Sequence, residues 1–551
     1  MQLQADFSKK NSIYFLSGIF IFALVIRLYH FDEVIPVTMD ALDSFSYAAD
    51  ISIIGKLPEN YDIAKPGWSI FLGGIFSLFN FENTLSFMQL QKISAILISS
   101  LSVFPLYFLI RKFSKVKYSL FGVLLFALEP RLIENSIPGN VEPIFIICII
   151  TTVLFFLNLD KKIIYLSFIM AGLAACFRPE GLFLFFGITV MFFVKFRKDR
   201  LVFPKYLIGL ILFAIIITPI SFHQMEIGMY EPGTVKLYTT INSLFESNES
   251  IGENIETQEV LTNNSIVTGI EIFSKYFIWV LIPMFIILLP PGFILFLKNL
   301  NMEKITIIVV GIFLAIPAFY SYSFPLLETK YLYFLIPIFC ILSTISLEYF
   351  FKKSSEKKIV FPIFFIVIVF VSFVFIESQN DFKHNKEASL IAQFIVINTN
   401  AVNDYYPEST YIWGYDVPEK WNEYKKFYEK MDRTKLDIQA ERRQLEDIPK
   451  VELHNPRKVW VQDPNIFSSL DSFLENPTKE KISHLVLDGK SDRPKFLNHI
   501  FYNEEKYVFL EKIYDSKDDD FNYHVKIYEI DYEKFDEEKN SPDNTYTKLV
   551  E

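Results

Sequence analysis

Long apolar runs separated by short clusters of charge dominate the chain from residue 12 to residue 376. They lie near 12–29, 86–110, 118–133, 141–158, 163–177, 180–195, 204–222, 275–297, 304–320, 331–350 and 359–376. Most approach the roughly 17 to 25 residues that a helix needs to cross a bilayer, which predicts a polytopic α-helical membrane protein of about eleven transmembrane helices. Beyond residue 376 the pattern changes to short β-type runs among charged segments: TYIWGY (410–415), KVWVQ (458–462), ISHLVLD (482–488), YVFLEKIYD (507–515) and HVKIYEIDY (524–532). Helical patterns at 386–398 and 418–431 complete one small α/β domain. The sequence therefore predicts a transmembrane domain over 1–376 and a soluble α/β domain over 377–551.

The basic residues orient these spans, because short cytoplasmic loops are enriched in Lys and Arg. With Lys9 and Lys10 inside, alternate loops carry Arg111, Lys112, Lys115 and Lys117, then Lys161 and Lys162, then Lys195, Arg197, Lys198, Arg200 and Lys205. The later inside loops hold Lys298 and Lys304, then Lys352, Lys353, Lys357 and Lys358, while the opposite loops are nearly bare of positive charge. One arrangement satisfies every loop, with a cytoplasmic N-terminus and an extracytoplasmic C-terminal domain. It holds only if PGWSIFLGGIFSLFN (66–80) does not cross fully, so that run is expected to be a surface or re-entrant helix in the first outer loop, 30–85. Sequons at Asn248 and Asn263 fall in a loop placed outside. The first run lacks a small-residue cleavage site and reads as an uncleaved span.

Composition sharpens the picture in two places. Half of the 551 residues are hydrophobic, with 59 Phe against 19 Gly, as suits a chain dissolved in lipid. The net charge of −10 belongs to the tail: from Glu377 onward there are 25 basic and 36 acidic residues. Such a tail would repel phosphates, which argues against nucleic acid as a partner. Cys148, Cys176 and Cys340 all fall in apolar runs, so the soluble part has neither a disulfide framework nor a Cys-based zinc site. The seven histidines show no metal spacing.

The first outer loop carries TMDALDSFSYAADISIIGKLP, with Asp40 and Asp43 three apart, then Tyr47 and Gly55. Asp43 suits the cap of a helix beginning at Ser44. It equally suits a general base or a divalent-cation ligand at the membrane surface, where a lipid-linked substrate presents its head group. Lys65 and Arg178 can snorkel to the interface, and Glu180 after Pro179 suits a helix N-terminus. Glu142 reads as a surface acid or a site residue, and Lys330 with Tyr331 as an interface anchor or a phosphate contact. Glu129 and Glu134 read as solvated loop charges.

An Asp in the first outer loop, a Tyr four residues on, Gly-x-x-Pro, and Lys65-Pro66-Gly67 opening an apolar helix together resemble the C-type glycosyltransferases, nearest the protein mannosyltransferase and aminoarabinose transferase branch. LEPRLIENSIPGNVEPIF (128–145) is similar to that family's second outer loop, with Pro130, Ser136 and Glu142 as its marks. FRPEG (177–181) and LETKYLYFLIP (327–337) resemble two later elements, with Lys330 where the family has Arg. The usual Asp-Glu pair is Asp43-Ser44 here, so a second carboxylate would come from Asp40 or Glu142. The resemblance covers the whole membrane part, and the tail is similar to the outer domains of archaeal members.

The resemblance implies a sugar donor on polyprenyl phosphate (dolichyl phosphate in archaea), a protein, lipid or glycan acceptor, and transfer with inversion. It implies Asp43 or Asp40 as the catalytic base, and Lys65, Arg178, Lys330 and Tyr331 around the donor phosphate. Glu142, Glu180 and Tyr47 are further site candidates. If a divalent cation such as Mg or Mn takes part, Asp40, Asp43 and Glu142 would hold it. Two other readings are weaker. A metal-dependent oligosaccharyltransferase would need a clustered acidic pair in the second outer loop and an acceptor-sensing motif, yet no WWD-like triplet occurs. A lipid or solute transporter would need ionisable residues through mid-membrane depth and inverted repeats, neither of which is seen.

Overall fold

The computed structural model describes residues 9–58, 63, 65–226, 265–324, 327–353, 360–379, 381–405, 408–423, 459–475 and 481–540. The sequons at Asn248 and Asn263, Lys357 and Lys358, and the helical pattern past residue 423 lie outside the described residues. Two compact units form. The first gathers Met1–Phe31, Tyr47–Leu78 and Leu90–Gln379; the second gathers Asp32–Ser46, Phe79–Gln89 and Asn380–Glu551.

Among the described residues, five helices are long and apolar enough to cross a membrane: Ser12–Tyr29, Thr84–Ile110, Val202–Met225, Met302–Ser323 and Thr329–Lys352. Shorter apolar helices, among them Val116–Ala127, Glu142–Phe156, Lys162–Phe177 and Gly181–Phe196, accompany them. The chain is a multi-pass membrane protein. Two predicted spans are broken, and proline stands at each break. The run 118–133 ends as a helix at Ala127, because Glu129 before Pro130 is held extended (φ −63°, ψ 116°) and Pro130 opens a new short helix, Pro130–Ser136. The run 275–297 splits into Ser265–Leu281 and Leu289–Leu297, with Pro283 between them and Pro290 in the first turn of the second. The run 331–350 begins as a 3-10 turn, Thr329–Leu335, and continues without interruption into helix Ile336–Lys353. The segment 66–80 forms only the ten-residue helix Gly67–Phe76, about 15 Å long and too short to span.

Leu, Ile and Phe side chains interlock across the first unit, as in the stack of Phe185 on Phe213 at 3.9 Å. Lipid offers apolar groups no less comfort than a neighbouring helix does, so packing and close approach decide which helices touch. Gly181 shows this: a Cβ there would lie 2.3 Å from the backbone nitrogen of Ala175, so only glycine lets helix Gly181–Phe196 fold back tightly on helix Lys161–Phe177.

The second unit contains one five-stranded sheet: β1 (Ala401–Asn403), β2 (Trp460–Gln462), β3 (His484–Leu487), β4 (Leu510–Asp515) and β5 (Lys526–Ile530), in the order β2-β1-β3-β5-β4. β1 runs parallel to β2 and β3, and β5 is antiparallel to β3 and β4. Helix Phe382–Asn398 and helix Lys495–Tyr502 supply buried faces to its two apolar clusters. Four of the five β-type runs form strands. The exception is TYIWGY, which is the short helix Thr410–Tyr415. It lies in the connection from β1 to β2, and parallel neighbours require a crossover rather than a hairpin strand. Parts of the first outer loop and the start of helix Thr84–Leu101 belong to this unit: Phe87 stacks on Trp421 at 4.0 Å, and Thr84 N donates to the Glu419 carbonyl at 2.8 Å.

Candidate active site

Arg178 sits in the three-residue turn between helices Lys161–Phe177 and Gly181–Phe196, in extended backbone (φ −149°, ψ 144°). Its Nη1 donates to Glu142 Oε1 at 2.5 Å, its Nη2 to Glu180 Oε1 at 2.9 Å and its Nε to Glu180 Oε2 at 3.2 Å. Glu142 opens helix Glu142–Phe156 and Glu180 caps helix Gly181–Phe196, so both carboxylates also meet positive helix ends. The three side chains are 3–11% exposed, which makes this a buried charge cluster rather than a snorkelling cation. The guanidinium lies 5.9 Å from the Tyr331 ring and 5.2 Å from that of Phe334. Lys330, next to Tyr331 on the same 3-10 turn, pairs with Glu328 at 2.6 Å.

The Lys65-Pro66-Gly67-Trp68 segment is fastened to the two loops that carry these acids. A Cβ on Gly67 would lie 2.5 Å from the Cys176 carbonyl oxygen, so helix Gly67–Phe76 begins in backbone contact with the end of helix Lys161–Phe177, two residues before Arg178. Trp68 Nε1 and Gln91 Nε2 both donate to the Gly139 carbonyl, at 3.1 and 3.0 Å, which fixes the turn leading into Glu142. Gly139 itself has φ +88°, a conformation glycine adopts without strain. Lys65 is half-buried, and burial pulls its amine below the ordinary lysine range. Lys65, Glu142, Arg178, Glu180 and Tyr331 are thus gathered in one region of the first unit.

Asp40 and Asp43 are exposed on helix Met39–Ile54. That helix begins five residues earlier than Ser44, so Asp43 stands in its second turn and is not a cap. Asp40 occupies the first turn, and Tyr47, one turn beyond Asp43, is 2% exposed.

Glu129 and Glu134 are not the solvated loop charges expected. Glu129 is fully buried and bonds Arg131 Nη1 at 3.2 Å. Arg131 also donates to the carbonyls of Trp279 (2.7 Å) and Ile282 (2.5 Å), caps the end of helix Ser265–Leu281, and lies over the rings of Trp279 and Phe375. Burial pushes the Glu129 and Glu134 carboxyls up to about 7. Sequence reasoning missed this cluster; the available signal was three charges, Glu129, Arg131 and Glu134, directly after an apolar run.

Among the described residues no group of three His, Cys, Asp or Glu side chains could hold a metal ion. Glu142 spends one oxygen on Arg178.

Comparison with known proteins bears on the fold. A family model, dolichyl-phosphate-mannose-protein mannosyltransferase, matches residues 66–223, the stretch that contains Gly67, Glu142, Arg178 and Glu180. No curated protein matches the chain by sequence. The crystal structure of the Archaeoglobus fulgidus oligosaccharyltransferase in its apo form superposes with a TM-score of 0.53 at 10% identity, covering 92% of this chain and 73% of that one. ArnT from Cupriavidus metallidurans bound to undecaprenyl phosphate gives 0.51 at 11% identity, covering 95% and 98%. Apolar helices, small sheet domain and similar structures together make this a multi-pass membrane protein with the C-type glycosyltransferase fold, matched over residues 66–223 by the mannosyltransferase family model.

Proposed function

We propose that the chain is a membrane hexosyltransferase that moves a hexose such as mannose from polyprenyl or dolichyl phosphate to an acceptor on the outer face of the membrane. The observation that carries this reading is the gathering of Lys65, Glu142, Arg178, Glu180 and Tyr331 within and beside the stretch matched by the mannosyltransferase model. The structural likeness to ArnT, a protein solved with undecaprenyl phosphate, supports the donor class.

In this mechanism the acceptor hydroxyl or amide attacks C1 of the sugar from the face opposite the phosphate. The C1–O bond breaks, its electrons pass to the polyprenyl phosphate, and Asp43, with Asp40 one turn away, takes the acceptor's proton. Lys65 and Lys330 offset the charge that develops on the phosphate. Arg178, its fork filled by Glu142 and Glu180, is a positioning residue that holds Tyr331 and the two helix ends in register. The basic loops support an orientation with the N-terminus in the cytoplasm and the C-terminal domain outside.

Mass spectrometry of surface glycans and lipid-linked sugars, with and without the protein, tests the reading: loss of one hexose and accumulation of its polyprenyl-phosphate form is expected. Asp43→Asn should lower transfer by roughly a hundredfold or more. Near-normal transfer by both Asp43→Asn and Asp40→Asn proteins would remove the base from the mechanism.

A further inference from the structure

The start of helix Met39–Ile54, with Asp40 and Asp43, is grouped with the second unit, which gathers Asp32–Ser46 with Phe79–Gln89 and Asn380–Glu551. This first part of the helix is amphipathic. Ala41, Leu42, Phe45 and Ser46 are buried at the spacing of one helical face, and Asp40 and Asp43 are exposed on the other. An exposed carboxylate takes its position from the backbone beneath it, so what holds the buried face also places the two acids.

Two anchors hold it, both from the connection between β1 and β2. The first is Trp421. Its ring meets Phe45 edge-on at 6.5 Å and stacks on Phe87 at 4.0 Å, and all three side chains are buried. The Trp421 amide donates to the Glu82 carbonyl at 2.8 Å, and Thr84 Oγ1 donates to the Pro418 carbonyl at 2.5 Å. The second anchor is helix Thr410–Tyr415. The Tyr415 hydroxyl donates to the Val34 carbonyl at 2.8 Å, and a Cβ on Gly414 would lie 2.7 Å from both the Val37 carbonyl oxygen and Pro36 Cγ. Between the anchors stands Met39 with φ +50°, a conformation uncommon for any residue but glycine. Such strain persists only where the surroundings over-determine it, and it gathers at working sites. The Thr38 carbonyl accepts from the Ala41 and Leu42 amides at 3.1 and 3.3 Å, so the strained turn sets the direction in which the helix leaves.

We propose that Trp421 and Gly414 are positioning residues for sugar transfer. Through Phe45 and the Pro36–Val37 backbone they fix the start of helix Met39–Ile54, and with it the Asp40 and Asp43 carboxylates that take the acceptor's proton. The C-terminal domain is then a working part of the transferase, since the β1–β2 connection holds the base. The inference rests on the transferase reading above, with its aspartate base. Removing the Trp421 ring leaves Phe45 and Phe87 without the group that joins them. A methyl at Gly414 pushes on the chain at Val37, three residues before Asp40.

The test uses the full chain. Its donor is the polyprenyl-phosphate hexose that accumulates in membranes lacking the protein, and those membranes supply the acceptor. Trp421→Ala and Gly414→Ala should each lower kcat per folded molecule by roughly ten- to a hundredfold while donor KM stays within about twofold. Hydrogen exchange in the purified variants should quicken over residues 40–46, with β3 and β5 protected as in the parent. Trp421→Phe keeps a ring against Phe87 and should restore most of the rate. A merely structural role would lower the yield of folded protein and leave its kcat alone. Should Trp421→Ala fail to fold, Gly414→Ala decides. Parental kcat in the folded variants, a rise in donor KM alone, or unaltered exchange over 40–46 overturns the proposal. If Asp43→Asn or Asp40→Asn abolishes transfer while the Trp421 and Gly414 variants retain it, this inference fails alone. If no donor accumulates, or both aspartate variants transfer normally, the transferase reading or its base fails first and takes this proposal with it.

Discussion

Gly67→Ala isolates one contact that the proposed site depends on. The added Cβ would sit 2.5 Å from the Cys176 carbonyl oxygen and 2.7 Å from its carbon. Both are backbone atoms at the end of a packed helix, so no side chain can rotate away. Relief requires helix Gly67–Phe76 to retreat by about half an ångström or more, at the roughly 1–3 kcal/mol typical of overpacking. Lys65, two residues upstream, moves with it, and misplacing a group by about 1 Å can cost a hundredfold in rate. Transfer in membranes supplied with polyprenyl-phosphate hexose should therefore fall by roughly ten- to a hundredfold, with a modest loss of thermal stability in detergent. The same helix supplies the control. Gly74 has nothing within 4 Å of its would-be Cβ; Gly74→Ala should be neutral or stabilising by up to about 1 kcal/mol, since alanine gives up less entropy in a helix. Equal activity and stability in the two variants would refute the argument that Gly67 sets the position of Lys65.

Arg178→Gln leaves two buried carboxylates without their cation and should cost about 3–5 kcal/mol; adding Glu142→Gln should recover part of it in denaturant titrations, and full additivity would contradict the shared network. Burial raises the Glu134 carboxyl from 4.5 to about 7, so between those values the folded chain holds a proton that the unfolded chain releases, and stability falls as pH rises through that window. Glu134→Gln should flatten the dependence of unfolding temperature on pH there, and an unaltered slope would remove Glu134 as a cause. A cysteine at Ser469 should react with a membrane-impermeant thiol reagent on intact cells and one at Lys198 should not; the reverse result would invert the proposed orientation.

The apolar runs, their basic loops and the change of pattern at residue 376 are local properties of the chain, and they determined a polytopic membrane protein followed by a sheet domain. Arg-Pro-Glu at a helix end was equally legible, because Pro179 stops one helix and Glu180 suits the start of the next. Its chemistry was not. That Arg178 meets Glu142, 36 residues away, depends on Gly67, Trp68 and Gly139 bringing three loops together, and hydropathy carries no signal for such contacts. Glu129 and Glu134 were misread for a related reason: charge predicts exposure only until a partner such as Arg131 and a ring such as Trp279 bury it. Asp43 stopped being a cap when Met39 started the helix, and TYIWGY became helical because the parallel pairing of β1 with β2 demanded a crossover. Sequence periodicity fixes which residues seek lipid or core; which distant charges meet follows only from how closely the helices can approach.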